Sequence, residues 1–160
     1  MAASDRVTPV RIGVISDTHL RTLSEMPTPI LTTLAKADLI VHAGDFTERA
    51  VLEGLRTLGK VKAVAGNMDS SELKEMLPRK ELFVVNGRTT GLTHGSGAPG
   101  GIADRIRDMF PEVDIIIFGH SHQATNQLLR GSRLFNPGRA RDSFGLLEIG
   151  DEIKAEIITV

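Results

Sequence analysis

At 160 residues with 41% hydrophobic content, the chain is long enough for one well-filled core and too short for two. A formal net charge of -1 gives no overall basic pull toward nucleic acid or anionic membrane, and six Phe without Trp or Tyr argue against a stacking platform for single strands. Cys is absent, which rules out disulfides and thiolate metal sites and fits a reducing compartment.

Residues 1–9 lack the apolar h-region of a signal peptide, and no later apolar run approaches the ~20 residues of a membrane span, so a cytoplasmic protein without membrane association is expected. Residues 10–16, VRIGVIS, read as a strand running into Asp17-Thr18-His19. Residues 27–37 set Ile30, Leu31 and Leu34 on one helical face, with prolines near the start. Strand character resumes at 39–43 and leads into Gly44-Asp45. Thr47 is expected to cap a helix whose stripe is Val51, Leu52, Leu55 and Leu58 and which Gly59 ends. This β-α-β-α-β alternation predicts a parallel sheet with ligands beyond the carboxyl ends of its strands.

Residues 61–65 predict a third strand, ending at Gly66-Asn67 and followed by a short helix at 73–77. Asp69 is expected as the N-cap of that helix, with Glu72 three residues on. Two strand-like runs, 82–85 and 89–93, flank the turn Asn86-Gly87 and predict a hairpin whose second arm ends at His94. The Gly-rich connection 95–101 reads as a turn beside the site, since a phosphate cradle would want the P-loop lysine. A helix with Ile102, Ile106, Met109 and Phe110 on one face follows.

The apolar run 113–118 predicts a buried strand that stops at Gly119-His120-Ser121-His122, where histidines two apart share a face. Residues 125–160 contain strand patterns only. His42, inside a strand, reads as a hydrogen-bonded core histidine, with a bracing contact to Asp45 left open. Arg130, Arg133, Arg139 and Arg141 read as solvated surface cations, and Asn136 in Asn136-Pro137-Gly138 as a turn residue or a brace for a ligand. With no repeat or linker, residues 1–160 are expected to form a single domain.

The polar residues at the strand ends are Asp17, His19, Asp45, Asn67, His94, His120 and His122. Carboxylate, amide and imidazole donors without sulfur suit Mn, Fe, Zn, Co or Ni, and two such ions need a shared anionic bridge, for which Asp45 is the natural choice. Two metals about 3.5–4 Å apart can hold a phosphoryl group, acidify a bound water and stabilise both oxygens of an in-line displacement. That chemistry is phosphoester hydrolysis by a metal-bound hydroxide.

In this order, Asp17-Thr18-His19, Gly44-Asp45, Gly66-Asn67-Met68-Asp69, His94 and Gly119-His120-Ser121-His122 resemble the motif set of the calcineurin-like metallophosphoesterases. The likeness spans residues 11–138 and is closest to the small prokaryotic phosphodiesterase branch, similar in fold to a small retromer subunit. It implies a four-layer α-β-β-α sandwich of the α/β class, with two mixed sheets and a dinuclear site at the carboxyl ends of the strands. It also implies one ion on Asp17, His19 and His122, a second on Asn67, His94 and His120, and Asp45 between them, with Asp45, Asn67 and His94 catalytic. Manganese is the first choice of metal, with Fe, Zn, Ni or Co admitted. Small homodimeric or tetrameric relatives imply a homo-oligomer.

The implied charge of two divalent ions, two aspartates and a hydroxide sums to about +1, which suits a phosphodiester monoanion. Nucleic acid is not an expected partner except as a nucleotide-type substrate. Met68 departs from the pattern: many relatives have a histidine there that contacts the phosphoryl group. Met68 is therefore expected to favour diesters with good leaving groups. The alternatives are a weak or inactive binding scaffold of the same fold, and a phosphomonoesterase or nuclease.

Overall fold

The computed structural model describes residues 7–160; the stretch 1–6, part of the leader reading above, lies outside them. One five-stranded sheet has the order β10-β9-β1-β2-β3, with β1 Val10–Ile15, β2 Leu39–His42, β3 Val61–Ala63, β9 Ser143–Ile149 and β10 Ile153–Thr159. Its β1, β2 and β3 run parallel, while β9 is antiparallel to both β1 and β10. The second sheet has the order β4-β5-β6-β8-β7, with β4 Lys80–Val85, β5 Arg88–Thr93, β6 Ile115–Ile117, β7 Thr125–Leu129 and β8 Ser132–Asn136. There β5, β6 and β8 are parallel, and the outer pairs β4/β5 and β7/β8 are antiparallel.

The layering follows from where the apolar side chains go. Ile12, Val14 and Val41 of the first sheet meet Leu92, Ile115, Ile117 and Phe135 of the second in a buried inter-sheet core. On the outer face of the first sheet, Ile15 and Ile40 pack with Ile30 and Leu34 of α1 (Thr28–Lys36) and with Leu52 and Leu55 of α2 (Arg49–Leu58). On the outer face of the second, Ile116 and Leu134 pack with Ile102 and Ile106 of α4 (Ile102–Asp108). Alternate residues of 115–117 thus face opposite layers, and both are covered. That explains a continuous apolar run instead of an alternating one. Each such isoleucine contributes roughly 1.5–3 kcal/mol through burial, so a charge at Ile116 would break the layer. The observed layers are α-β-β-α.

Local chemistry sets most element ends. Gly59 closes α2 by donating its N–H to Leu55 O. Asn86 and Gly87, at φ of 47° and 78°, form the tight hairpin turn that only such residues adopt without strain. Two caps differ from expectation. Glu48, not Thr47, occupies the N-cap of α2, and Thr47 sits at φ 69°. Ser70, not Asp69, caps α3 (Ser71–Met76), its hydroxyl accepting the N–H of Leu73 at 3.3 Å. Both residues are diverted by the same interaction: the Asp69 carboxylate accepts the Thr47 N–H at 2.8 Å.

Candidate metal centre

Parallel strands align their carboxyl ends, so β1, β2 and β3 deliver Asp17, Asp45 and Asn67 to one edge of the first sheet. The second sheet delivers His94 from β5 and His120 and His122 from β6. The two edges are stitched together by hydrogen bonds. His94 Nδ1 lies 2.7 Å from Ala43 O and the His120 N–H donates to Asp17 Oδ2 at 3.3 Å, while within the second sheet the Gly119 N–H donates to His94 O at 3.0 Å. Residues more than a hundred positions apart are thereby fixed against each other.

The loops that present these side chains are strained. Asp17, His19, Asp45, Thr47, His120 and His122 all have φ between 50° and 69°. A non-glycine residue held there costs on the order of 1–3 kcal/mol, and Thr47 is β-branched besides. The surrounding contacts hold the backbone in that state. A Cβ on Gly66 would lie 2.1 Å from Asp45 Oδ1, and one on Gly119 2.1 Å from Ser16 Oγ and 2.9 Å from Asp17 Oδ2. The glycines of the Gly66-Asn67 and Gly119-His120 motifs are there because the Asp45 carboxylate in one and the Ser16 hydroxyl with the Asp17 carboxylate in the other occupy the space of a side chain.

Two close groups of donor atoms result, each within 4.8 Å: Asp17 with His19 and His122, and Asp17 with Asp45 and His94. His122 Nε2 is 3.4 Å from Asp17 Oδ1, and His94 Nε2 is 3.2 Å from Asp45 Oδ2 and 3.8 Å from Asp17 Oδ1. His19 Nε2 approaches Asp45 Oδ2 at 3.8 Å. Asp17 is thus common to both groups. Asn67 is exposed, and His120 stands beside His94 with ring centroids 5.2 Å apart.

Electrostatics mark the centre as built for a cation. Asp17 Oδ1 and His94 Nε2 are buried and have no hydrogen-bond partner. Because a carbonyl can only accept, Ala43 O fixes a proton on His94 Nδ1, so that in the neutral ring the Nε2 lone pair is aimed at two carboxylate oxygens. Two carboxylates this close repel by about 3–4 kcal/mol at an effective dielectric near 20, and a divalent ion between them reverses that. The donor set of carboxylate oxygen and imidazole nitrogen fits such an ion. Burial works against a charge on His94, but Asp45, Asp17 and Ala43 outweigh it and hold the imidazole above its ordinary value. Burial likewise raises Asp45, but His94, the Met68 N–H and His19 outweigh it and hold the carboxyl below its ordinary value.

The ring-nitrogen accounting separates the histidines. His94 gives one nitrogen to Ala43 O and His120 gives Nε2 to Gly97 O at 2.8 Å, the backbone-anchored arrangement typical of metal ligands, with one nitrogen left over. His42 has none left: Nδ1 accepts the Gly44 N–H at 3.0 Å, so Nε2 carries the proton to Thr18 Oγ1 at 3.1 Å. Its ring stacks on Phe46 at 3.5 Å. Burial, with His94 adding, pushes the His42 pKa down to about 3. His42 is a neutral core histidine that braces the residue preceding Asp45.

Further side chains support the centre; of these only the bracing by Asn136 was among the sequence readings. Ser16 Oγ donates to Asp17 Oδ2 at 2.7 Å. Asp69, expected as a cap, accepts the N–H groups of Asp45 at 3.1 Å, Thr47 at 2.8 Å and Gly66 at 2.7 Å. The only signal for it was the three-residue spacing to Gly66, which suits a carboxylate closing its own loop. Asn136 donates to Gly119 O and Ser121 Oγ, both at 3.1 Å, and so braces the His120-His122 loop. The Gly-rich connection is organised by Arg105, which donates to the carbonyls of Ser96, Ala98 and Gly100. Arg130 and Arg139 pair with Asp108 and Asp142.

In sequence and fold the chain is similar to known proteins. The sequence matches the calcineurin-like phosphoesterase superfamily domain over residues 10–150. A probable metallophosphoesterase from Methanothermobacter thermautotrophicus is 40% identical over 157 residues, 92% of this chain and 91% of that protein. The solution NMR structure of a Thermotoga maritima protein matches with a TM-score of 0.76 at 31% identity, covering 94% of this chain and 99% of that one. Vps29 from Entamoeba histolytica, complexed with zinc, matches with a TM-score of 0.71 at 25% identity, covering 93% of this chain and 98% of that one.

Proposed function

This chain belongs to the calcineurin-like phosphoesterase superfamily, and from that premise we propose that it is a phosphodiesterase acting as a single domain around two divalent ions. The observation that carries the reading is the meeting of Asp17 Oδ1, His94 Nε2 and Asp45 Oδ2 in a buried cluster in which Asp17 Oδ1 and His94 Nε2 have no hydrogen-bond partner. Asp17, His19 and His122 would hold one ion and Asn67, His94 and His120 the other, with Asp45 between them. Manganese is the first choice, and the zinc complex of the Entamoeba relative is consistent with the same donor chemistry.

When bound, the ions polarise the phosphoryl oxygens and lower the pKa of a water at the site. The chain's own residues do the rest. His94 and His120 each have a backbone carbonyl on one ring nitrogen, which fixes the tautomer and the aim of the other. Asn67, exposed at the rim, offers an amide N–H to a phosphoryl oxygen. Met68 is 58% exposed beside it and has no proton to give, so a leaving oxygen departs without a general acid from that position. Aryl and nucleotide-type diesters are the substrates this favours.

The test is metal analysis together with hydrolysis of bis-p-nitrophenyl phosphate and p-nitrophenyl phosphate in manganese. Two ions per chain, diester turnover above monoester turnover and loss of both with chelator are expected. A preparation holding two ions that cleaves neither compound would make the chain a binding scaffold of this fold.

A further inference from the structure

Beside the centre lies a cavity of about 420 Å³ whose wall includes Asn67, His94, Lys74, Arg79, Lys80 and Met109. No Asp or Glu lines it. That is a local excess of positive charge in a chain whose overall formal charge is -1. Among the described residues Lys74 and Arg79 make no ion pair, whereas Arg49, Arg130 and Arg139 each pair with a carboxylate. The backbone carrying Arg79 is also pinned. Pro78 O accepts the Ala65 N–H at 2.9 Å, and Arg79 O accepts the Thr93 hydroxyl at 3.1 Å. Ala65 and Thr93 directly precede the loops of Asn67 and His94, so the Arg79 backbone and the centre are held by the same two strand ends. Lys80 Nζ is fixed on Met109 O at 3.0 Å, and Met109 supplies apolar wall.

We infer that this cavity binds a second phosphate, carried on the organic group of the substrate phosphodiester; the inference rests on the phosphodiesterase reading above. Lys74 and Arg79 would take the phosphate through charge-assisted hydrogen bonds, with Met109 against the intervening organic group. The reaction is unchanged: water adds to the scissile phosphorus, the ester oxygen leaves and takes up a proton, and the second phosphate stays on its carrier. The substrate class is a phosphodiester bearing an additional phosphate monoester, such as a phosphorylated nucleotide.

The manganese-loaded chain is assayed on thymidine 5′-(p-nitrophenyl phosphate) with and without a 3′-phosphate. The 3′-phosphate is expected to raise kcat/KM roughly tenfold or more, chiefly through KM, and the gain to shrink as salt rises. The double variant Lys74→Glu/Arg79→Glu is expected to erase the gain, and Lys74→Gln/Arg79→Gln to erase most of it. Equal kcat/KM for the two diesters, or a gain that survives charge reversal, overturns the inference while leaving the phosphodiesterase reading intact. A second measurement does not depend on turnover. Thymidine 3′,5′-bisphosphate titrated into the metal-free chain should give saturable NMR shifts at Lys74 and Arg79, weakened at least tenfold by charge reversal. Absence of saturable shifts overturns the inference; their presence in a chain that cleaves no diester supports it and sinks only the activity.

Discussion

Asp69 holds Asp45 by its backbone: the Asp69 carboxylate accepts the Asp45 N–H at 3.1 Å and, from the same loops, the N–H groups of Thr47 and Gly66. One buried carboxylate therefore ties the loop after β2 to the loop after β3. In Asp69→Asn one oxygen becomes a donor that cannot accept an N–H, leaving a buried donor unsatisfied at about 1–3 kcal/mol. Denaturant unfolding should register that loss, and calorimetry should show metal affinity down by about 10–100-fold. Unchanged metal affinity in a folded Asp69→Asn protein would contradict the bracing role.

Gly119→Ala should damage the centre without touching a donor atom. Its Cβ would stand 2.1 Å from Ser16 Oγ and 2.9 Å from Asp17 Oδ2, so the Ser16-Asp17 pair must move, at about 1–3 kcal/mol. Gly87→Ala is the control: its φ of 78° makes it strained, yet nothing lies within 4 Å and it sits at the opposite end of β5 from His94. Thermal melts should show both changes. Metal titration should show only the first.

His42 should make the metal-free protein sensitive to acid. Its pKa is pushed down to about 3 in the folded chain against an ordinary value near 6.5. The unfolded chain therefore takes up a proton that the folded chain refuses. Stability is fully present above about pH 6.5 and falls as pH drops toward 3, by at most about 5 kcal/mol over the whole window. Denaturation of His42→Asn and wild-type proteins between pH 6.5 and 4 should differ in slope by about one proton. Parallel curves would remove His42 as the cause.

The raised pKa of His94 acts in the opposite direction on the apo protein and against the metal. In the metal-free chain the protonated His94 stabilises the fold below about pH 6.5, and that contribution is lost as pH rises through the raised folded value. Metal must displace this proton, so affinity should weaken as pH falls through the same value, with proton release on binding. Calorimetry in buffers of different ionisation enthalpy measures the released protons. A pH-independent affinity across this range would show that His94 gives up no proton.

Met68→His should change which leaving groups are tolerated. The side chain is exposed and its N–H donates to Asp45 Oδ1 at 2.8 Å, so an imidazole there would stand at the rim of the centre on a backbone already anchored to it. Turnover of alkyl diesters is expected to rise relative to aryl diesters by about 10- to 100-fold. An unchanged alkyl-to-aryl ratio would show that position 68 takes no part in leaving-group departure.

The order of apolar runs and the polar residue at the end of each were enough to define the layered fold and the edge on which the chemistry sits. Both follow from local rules: a strand covered on two sides needs an unbroken apolar run such as 115–117, and a chain must turn where it ends. Which atoms meet at that edge was decided only in three dimensions. Asp17 joins both donor groups, His42 spends both ring nitrogens on its neighbours, and Asp69 braces Asp45 instead of capping a helix. Those outcomes depend on loops held at positive φ by partners 22 to 103 residues away, and no local propensity encodes them.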